Sequence, residues 1–90
     1  MKFGQKEIPE AFFTETRKKM LSNKEFTPNG IRLFILEKFK ADLSKIDNIS
    51  HNHKIIADRV MRKCLNGLVE EKHIYQVKRG LWVHKPTHAA

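Results

Sequence analysis

Residues 59–83 read RVMRKCLNGLVEEKHIYQVKRGLWV, and two periodicities meet inside that stretch. Up to Glu70 the apolar residues recur at helical spacing. At 100° per residue Ile56, Ala57, Val60, Met61, Cys64, Leu65 and Leu68 share one half of a helical wheel, and Asp58, Arg59, Arg62, Lys63, Asn66 and Glu70 share the other. Beyond Glu71-Lys72 the residues turn β-branched, aromatic or aliphatic. Ile74, Tyr75 and Val77 precede Lys78-Arg79-Gly80, and Leu81, Trp82 and Val83 follow it. Gly80 can supply the positive φ that a short hairpin needs. The stretch therefore predicts a basic amphipathic helix over 56–71 that leads directly into a hairpin over 73–85 with a basic tip. Ile55 falls on the polar side, so either the regular helix begins after it or it is exposed. Gly67 lies on the boundary of the two faces and costs about 1 kcal/mol relative to alanine, which predicts close approach of another backbone there.

Upstream of this helix, Ser50 or Asn52 is a candidate cap, and Ser44–Asn52 (SKIDNISHN) reads as a connection pinned by Ile46 and Ile49. Thr27-Pro28 is a start signal, with Thr27 as N-cap and Pro28 at the first helical position. In the helix that follows, Ile31, Ile35, Leu36, Phe39 and Leu43 fall on one face, while Leu33 and Phe34 fall outside it. This helix is apolar on more than one side and so reads either as central or as a dimer contact. Pro9 and Glu10 suit the first turn of another helix, whose stripe is Phe12, Phe13, Thr16, Met20 and Leu21, ending near Ser22. Pro86 ends the second hairpin strand. The organisation predicted is a flexible start over 1–7, one domain over 8–85 and a flexible tail over 86–90.

The chain has 90 residues, 18 Lys and Arg and 10 Asp and Glu, for a formal charge of +8. Ten basic and seven acidic residues in 1–49 give +3, and eight basic and three acidic residues in 50–90 give +5. The C-terminal half is thus the polyanion-facing half. Cys64 has no second cysteine to pair with, which fits a reducing compartment. No apolar run approaches the ~20 residues a membrane span needs, and residues 1–13 lack an apolar signal core.

Helix, short Phe26-Thr27 segment, helix, helix, hairpin is the order so far. In that order the chain resembles a winged helix-turn-helix domain. Within it, Met61–Glu71 (MRKCLNGLVEE) is similar to the third helix of bacterial winged-helix regulators, with an Arg-rich middle, a Leu-x-x-Leu-Val core and a Glu-Glu-Gly-x-Ile exit. Lys72 stands where that pattern has Gly. Arg79–Val83 (RGLWV) resembles the returning strand of the wing. The resemblance covers about two-thirds of the chain as topology and about 25 residues as pattern. It implies a mainly α fold with a small β-hairpin, three helices plus a wing. It also implies sequence-specific double-stranded DNA binding by a small transcriptional regulator.

On that reading Arg59, Arg62, Lys63 and Asn66 reach bases or phosphates in the major groove. Arginine can pair with guanine and asparagine with adenine. His53 and Lys54 stand at the start of the helix, near phosphate. Lys78 and Arg79 at the hairpin tip, with Lys85, touch phosphates or the minor groove. Asp58 sits near the electropositive helix start or orients Arg62 through an i,i+4 pair. A homodimer would double the contacts on a palindromic site, with Leu33, Phe34, Phe12 and Phe13 as the candidate interface.

Two other classes compete. The same fold can dock an acidic protein, or bind RNA or single strands by stacking on Tyr75 and Trp82, although hairpin aromatics more often pack on the helices beneath. His51-x-His53, with no nearby cysteine pair, is a weak metal signal, and Cys64 falls on the apolar face as a core residue. There is no phosphate loop, carboxylate pair or activated nucleophile. The expectation is a protein that is not an enzyme, with no cofactor, no metal and no membrane partner. It would be cytoplasmic and nucleoid-associated, or in the host cytoplasm if viral.

Overall fold

A computed structural model describes residues 2–3, 6–22 and 25–84, with His84 described through its backbone alone. Lys85 and the tail over 86–90 lie outside the described residues. In chain order the elements are β1 (Lys2–Phe3), β2 (Lys6–Glu7), α1 (Glu10–Ser22), β3 (Glu25–Phe26), α2 (Pro28–Lys38), α3 (Lys40–Ile46), α4 (Ser50–Glu70), β4 (Ile74–Lys78) and β5 (Leu81–His84). The fold is mainly helical with a small antiparallel sheet. Four helices replace the three read from the sequence.

The extra helix comes from a break at Phe39, where φ is −107° and ψ is 25°. Phe39 closes α2 by donating its N–H to the Ile35 carbonyl at 3.0 Å and opens α3 by accepting from Leu43 at 2.8 Å. The break leaves the side chains in line, so Ile31, Ile35, Phe39 and Leu43 are all buried. With seven residues, α3 is too short to show a helical period of its own. At the other end of α2 the expected cap is present: Gly30 N–H donates to Thr27 Oγ1 at 3.0 Å, with Pro28 as the first helical residue.

Helix α4 starts at Ser50, well before Ile56, and the connection shrinks to residues 47–49. His51, Asn52, His53 and Lys54 are polar on every side and give no period to read. Neither Ser50 nor Asn52 is the N-cap. That position is Ile49, which makes no side-chain cap bond, and Asp47 instead ties the preceding turn to the helix start, accepting from Ile49 N–H at 2.8 Å and from Asn52 Nδ2 at 3.0 Å. Ile55 lies inside the helix and is half-buried.

α1 and α2 both pack on α4, and the core forms between them from Phe12, Met20, Ile31, Ile35, Ile56, Val60, Met61 and Leu68. The Phe12 ring stacks on Phe39 with centroids 4.2 Å apart and planes at 16°. Phe12 is fully buried and so cannot form a dimer interface. Phe13 and Phe34 are half-buried beneath the ammonium groups of Lys63 and Lys19. Of the four proposed interface residues, Leu33 alone remains exposed, at 57%.

The sheet has three strands in the order β3-β5-β4, all antiparallel. Trp82 on the central strand pairs with Phe26 on one side and Gln76 on the other and packs partly buried against the core, as expected. Tyr75 differs from expectation. Ile74 takes the inward position, so Tyr75, its neighbour on the strand, faces the opposite side and is 50% exposed. A bulge between Gln76 and Lys78 leaves Val77 as the unpaired residue, also exposed. Arg79 and Gly80 make the turn, and Gly80 has φ 77° as anticipated.

The exit from α4 explains the departure at Lys72. The His73 N–H donates to the Leu68 carbonyl at 2.9 Å and the Lys72 N–H to the Val69 carbonyl at 3.0 Å, the paired bonds of a Schellman cap. That geometry puts Lys72 at φ 61°, in the left-handed region. An L-residue pays about 1–2 kcal/mol there, partly offset by the greater unfolded-state freedom of glycine. Lys72→Gly is therefore expected to stabilise the fold by about 0.5–1 kcal/mol, raising the thermal midpoint by several degrees. An unchanged or lower midpoint in a melting experiment would contradict this.

Candidate nucleic-acid interface

Helix α4 has 21 residues, a rod about 30 Å long. Its apolar half behaves as the wheel requires: Ile56, Ala57, Val60, Met61, Cys64 and Leu68 are buried. The polar half is consequently turned outward. Arg59, Arg62, Lys63 and Asn66 line one shallow open groove together with Gly67 and Glu70. The four residues expected to read the major groove are thus gathered on one surface. Lys54 lies exposed nearer the start of the helix, and Lys78 and Arg79 are exposed at the hairpin tip.

Three of the four residues are each held by a neighbouring side chain. Arg62 Nε donates to Asp58 Oδ2 at 2.8 Å, an i,i+4 pair, and the Arg62 side chain remains 67% exposed with both Nη groups available. The Arg59 guanidinium lies over the Phe3 ring at 5.4 Å, and the Lys63 ammonium over the Phe13 ring at 5.3 Å. Each aromatic face fixes one side of a cation and leaves the rest to solvent, which lowers the ordering cost of a later contact.

The other carboxylate oxygen of Asp58 accepts from Arg32 Nε on α2 at 2.7 Å. Asp58 therefore bridges two helices, a role that sequence spacing gave for Arg62 alone. Burial pushes the Asp58 carboxyl up, but the hydrogen bonds from Arg32 and Arg62, with their charges, outweigh it and hold the group below its ordinary value. A carboxyl held low in the folded state contributes stability above its unfolded value, near 4, and loses it as the pH falls through the folded value. Asp58→Asn is expected to cost about 1 kcal/mol at neutral pH. The gap between variant and parent should close below about pH 4. Melting curves from pH 7 to 2.5 check this, and a gap independent of pH would refute it.

His53 does not join the groove lined by Arg59, Arg62, Lys63 and Asn66. It lies half-buried in the first turn of α4, and its Nε2 meets the carbonyl oxygen of Asp47 in the turn before the helix. Lys85 lies outside the described residues. The expectation at Gly67 also changes, since a Cβ there would meet the Arg17 guanidinium at 3.8 Å, an ordinary contact, and no foreign backbone. Gly67 instead widens a cleft of about 320 Å³ between α1 and α4, lined by Glu10, Phe13, Arg17, Lys63 and Cys64 among others. Cys64 Sγ donates to the Phe13 carbonyl at 3.5 Å. Burial pushes its thiol up to about 11, against the opposing charges of Arg17 and Lys63. Near neutrality it is a protonated core residue. Across the end of the cleft Arg17 donates to Glu71, and that bond is the main cause holding the Glu71 carboxyl below the usual range.

Sequence reasoning missed Arg32 and Phe3. Both join the surface through contacts between elements far apart in the chain, which a single helical wheel does not contain. Among the described residues no group of three His, Cys, Asp or Glu side chains could hold a metal ion, and no helix is long and apolar enough to cross a membrane. No protein-family model, curated protein or solved structure matches the chain.

Proposed function

We propose that this chain is a small winged-helix protein that binds double-stranded DNA in a sequence-specific manner and acts as a transcriptional regulator. Helix α4 would enter the major groove and the β4–β5 hairpin would serve as the wing. One observation carries the reading: Arg59, Arg62, Lys63 and Asn66 share an open face of a long helix that runs straight into a hairpin tipped by Lys78 and Arg79. The order helix, strand, helices, hairpin, with β5 between β3 and β4, supports the winged-helix assignment. Arginine and asparagine in the groove can read base edges by paired hydrogen bonds, and the lysines can neutralise phosphates.

Binding to random-sequence duplex DNA across a salt series tests this. About four to six phosphate contacts give a log–log slope of roughly −4 to −5. Flat or absent binding at low salt would end the DNA reading and turn the search to acidic protein partners.

The exposure of Tyr75 favours a second reading. On the outer sheet face, with Lys78 and Arg79 beyond it, the ring is open to stacking by an unpaired base. In that case single strands would bind at least as tightly as duplex, and Tyr75→Ala would weaken single-strand binding alone.

A further inference from the structure

The N-terminal residues were expected to be loose, yet β1 and β2 pair antiparallel, Lys2 opposite Glu7 and Phe3 opposite Lys6. Two anchors hold the pair in place. Ile8, immediately after β2, is buried in the core, and Phe3 packs partly buried against that core. Directly opposed residues in a ladder project to the same side. Lys6 therefore stands on the Phe3 side of the pair, and Phe3 is the residue whose ring lies beneath the Arg59 guanidinium. Lys2 and Glu7 share the other side. Arg59 remains exposed despite this contact, so the ring steadies the guanidinium without covering it.

We infer that the β1–β2 pair is a third element of the nucleic-acid surface, beside α4 and the hairpin. Lys6 supplies a phosphate contact next to Arg59, and Phe3 is a positioning residue that holds the Arg59 guanidinium for its partner. The inference rests on the duplex-binding reading above. The partner class is the sugar–phosphate backbone of duplex DNA, recognised by charge and by a guanidinium of fixed orientation. A cation over an aromatic face at an exposed site is worth a few-fold in an equilibrium constant.

The test uses the full chain and duplex DNA in a salt series. Lys6→Gln is expected to reduce the magnitude of the log–log slope by about one. Lys2→Gln, on the opposite side of the ladder, is expected to leave the slope closer to that of the parent. Phe3→Leu, which keeps an apolar anchor and removes the ring, is expected to weaken binding about two- to fivefold, and Phe3→Tyr to restore it. In an Arg59→Ala background, Phe3→Leu should have no further effect on affinity, because the group it positions is gone. Melting temperatures of all variants separate loss of fold from loss of contact. If the parent binds duplex but Lys6→Gln matches Lys2→Gln, the phosphate contact is overturned. If the Phe3→Leu loss persists without Arg59, the positioning role is overturned. Both results would leave the duplex reading intact. A parent that fails to bind duplex overturns that reading and this inference together.

Discussion

Phe12→Ala is expected to lower the unfolding free energy by about 3–5 kcal/mol, a large share of the roughly 5–15 kcal/mol that holds a domain of this kind together. The ring is fully buried and stacked on Phe39 at 4.2 Å. Phe39 also marks the break between α2 and α3, so the lost ring would leave a cavity where three helices depend on one contact. The surrounding backbone is committed to helix on both sides and has little freedom to collapse into the space. Phe12→Leu keeps most of the volume and should cost less, about 1–1.5 kcal/mol. Denaturant titration measures both. A loss under 1 kcal/mol for Phe12→Ala, accompanied by a change in sedimentation, would return Phe12 to the role of interface residue.

The largest functional effect is expected from the double variant Arg62→Ala/Lys63→Ala. If α4 lies in the major groove, this removes one arginine able to pair with a base and one lysine able to neutralise phosphate. The combined loss is about 2–4 kcal/mol, roughly thirty- to several-hundredfold in affinity. The salt slope should flatten by one to two. The fold should survive, because both side chains are exposed and Asp58 keeps Arg32 as its partner. Lys78→Ala/Arg79→Ala is expected to flatten the slope with little change in sequence preference, as suits phosphate contacts alone. Equal affinity for parent and Arg62→Ala/Lys63→Ala, with unchanged melting temperature, would remove α4 from the interface.

Much of this molecule is legible in its sequence. The buried face of α4, the Thr27 cap, the glycine turn at Gly80 and the clustering of Arg59, Arg62, Lys63 and Asn66 follow from local rules of period, capping and turn chemistry. What escaped was of two kinds. Short or uniformly polar segments carry no period, which hid α3 and the first turn of α4. Contacts between distant elements carry no local signal, which hid the Asp58 bridge to Arg32, the Phe3 ring under Arg59 and the pairing of β3 with β5. Tyr75 shows how narrow the margin is. The sequence offers Ile74 and Tyr75 side by side, a strand can bury one of two neighbours, and the docking of β4 decides in favour of Ile74. Lys72 shows the reverse: a single residue out of pattern marked a left-handed cap that the structure contains.

The seam between β3 and β5 has a consequence for the lifetime of the native state. The β4–β5 hairpin is local and can form within microseconds. The Phe26–Trp82 pairing instead joins segments separated by α2, α3 and α4 and must wait for those helices to pack. Contacts made after the folding barrier govern how fast a protein opens, not how fast it closes. Phe26→Leu should therefore steepen escape from the folded state while refolding proceeds at nearly the parental rate. Trp82, the sole tryptophan of the chain, stands at that seam as the built-in fluorophore for following both limbs.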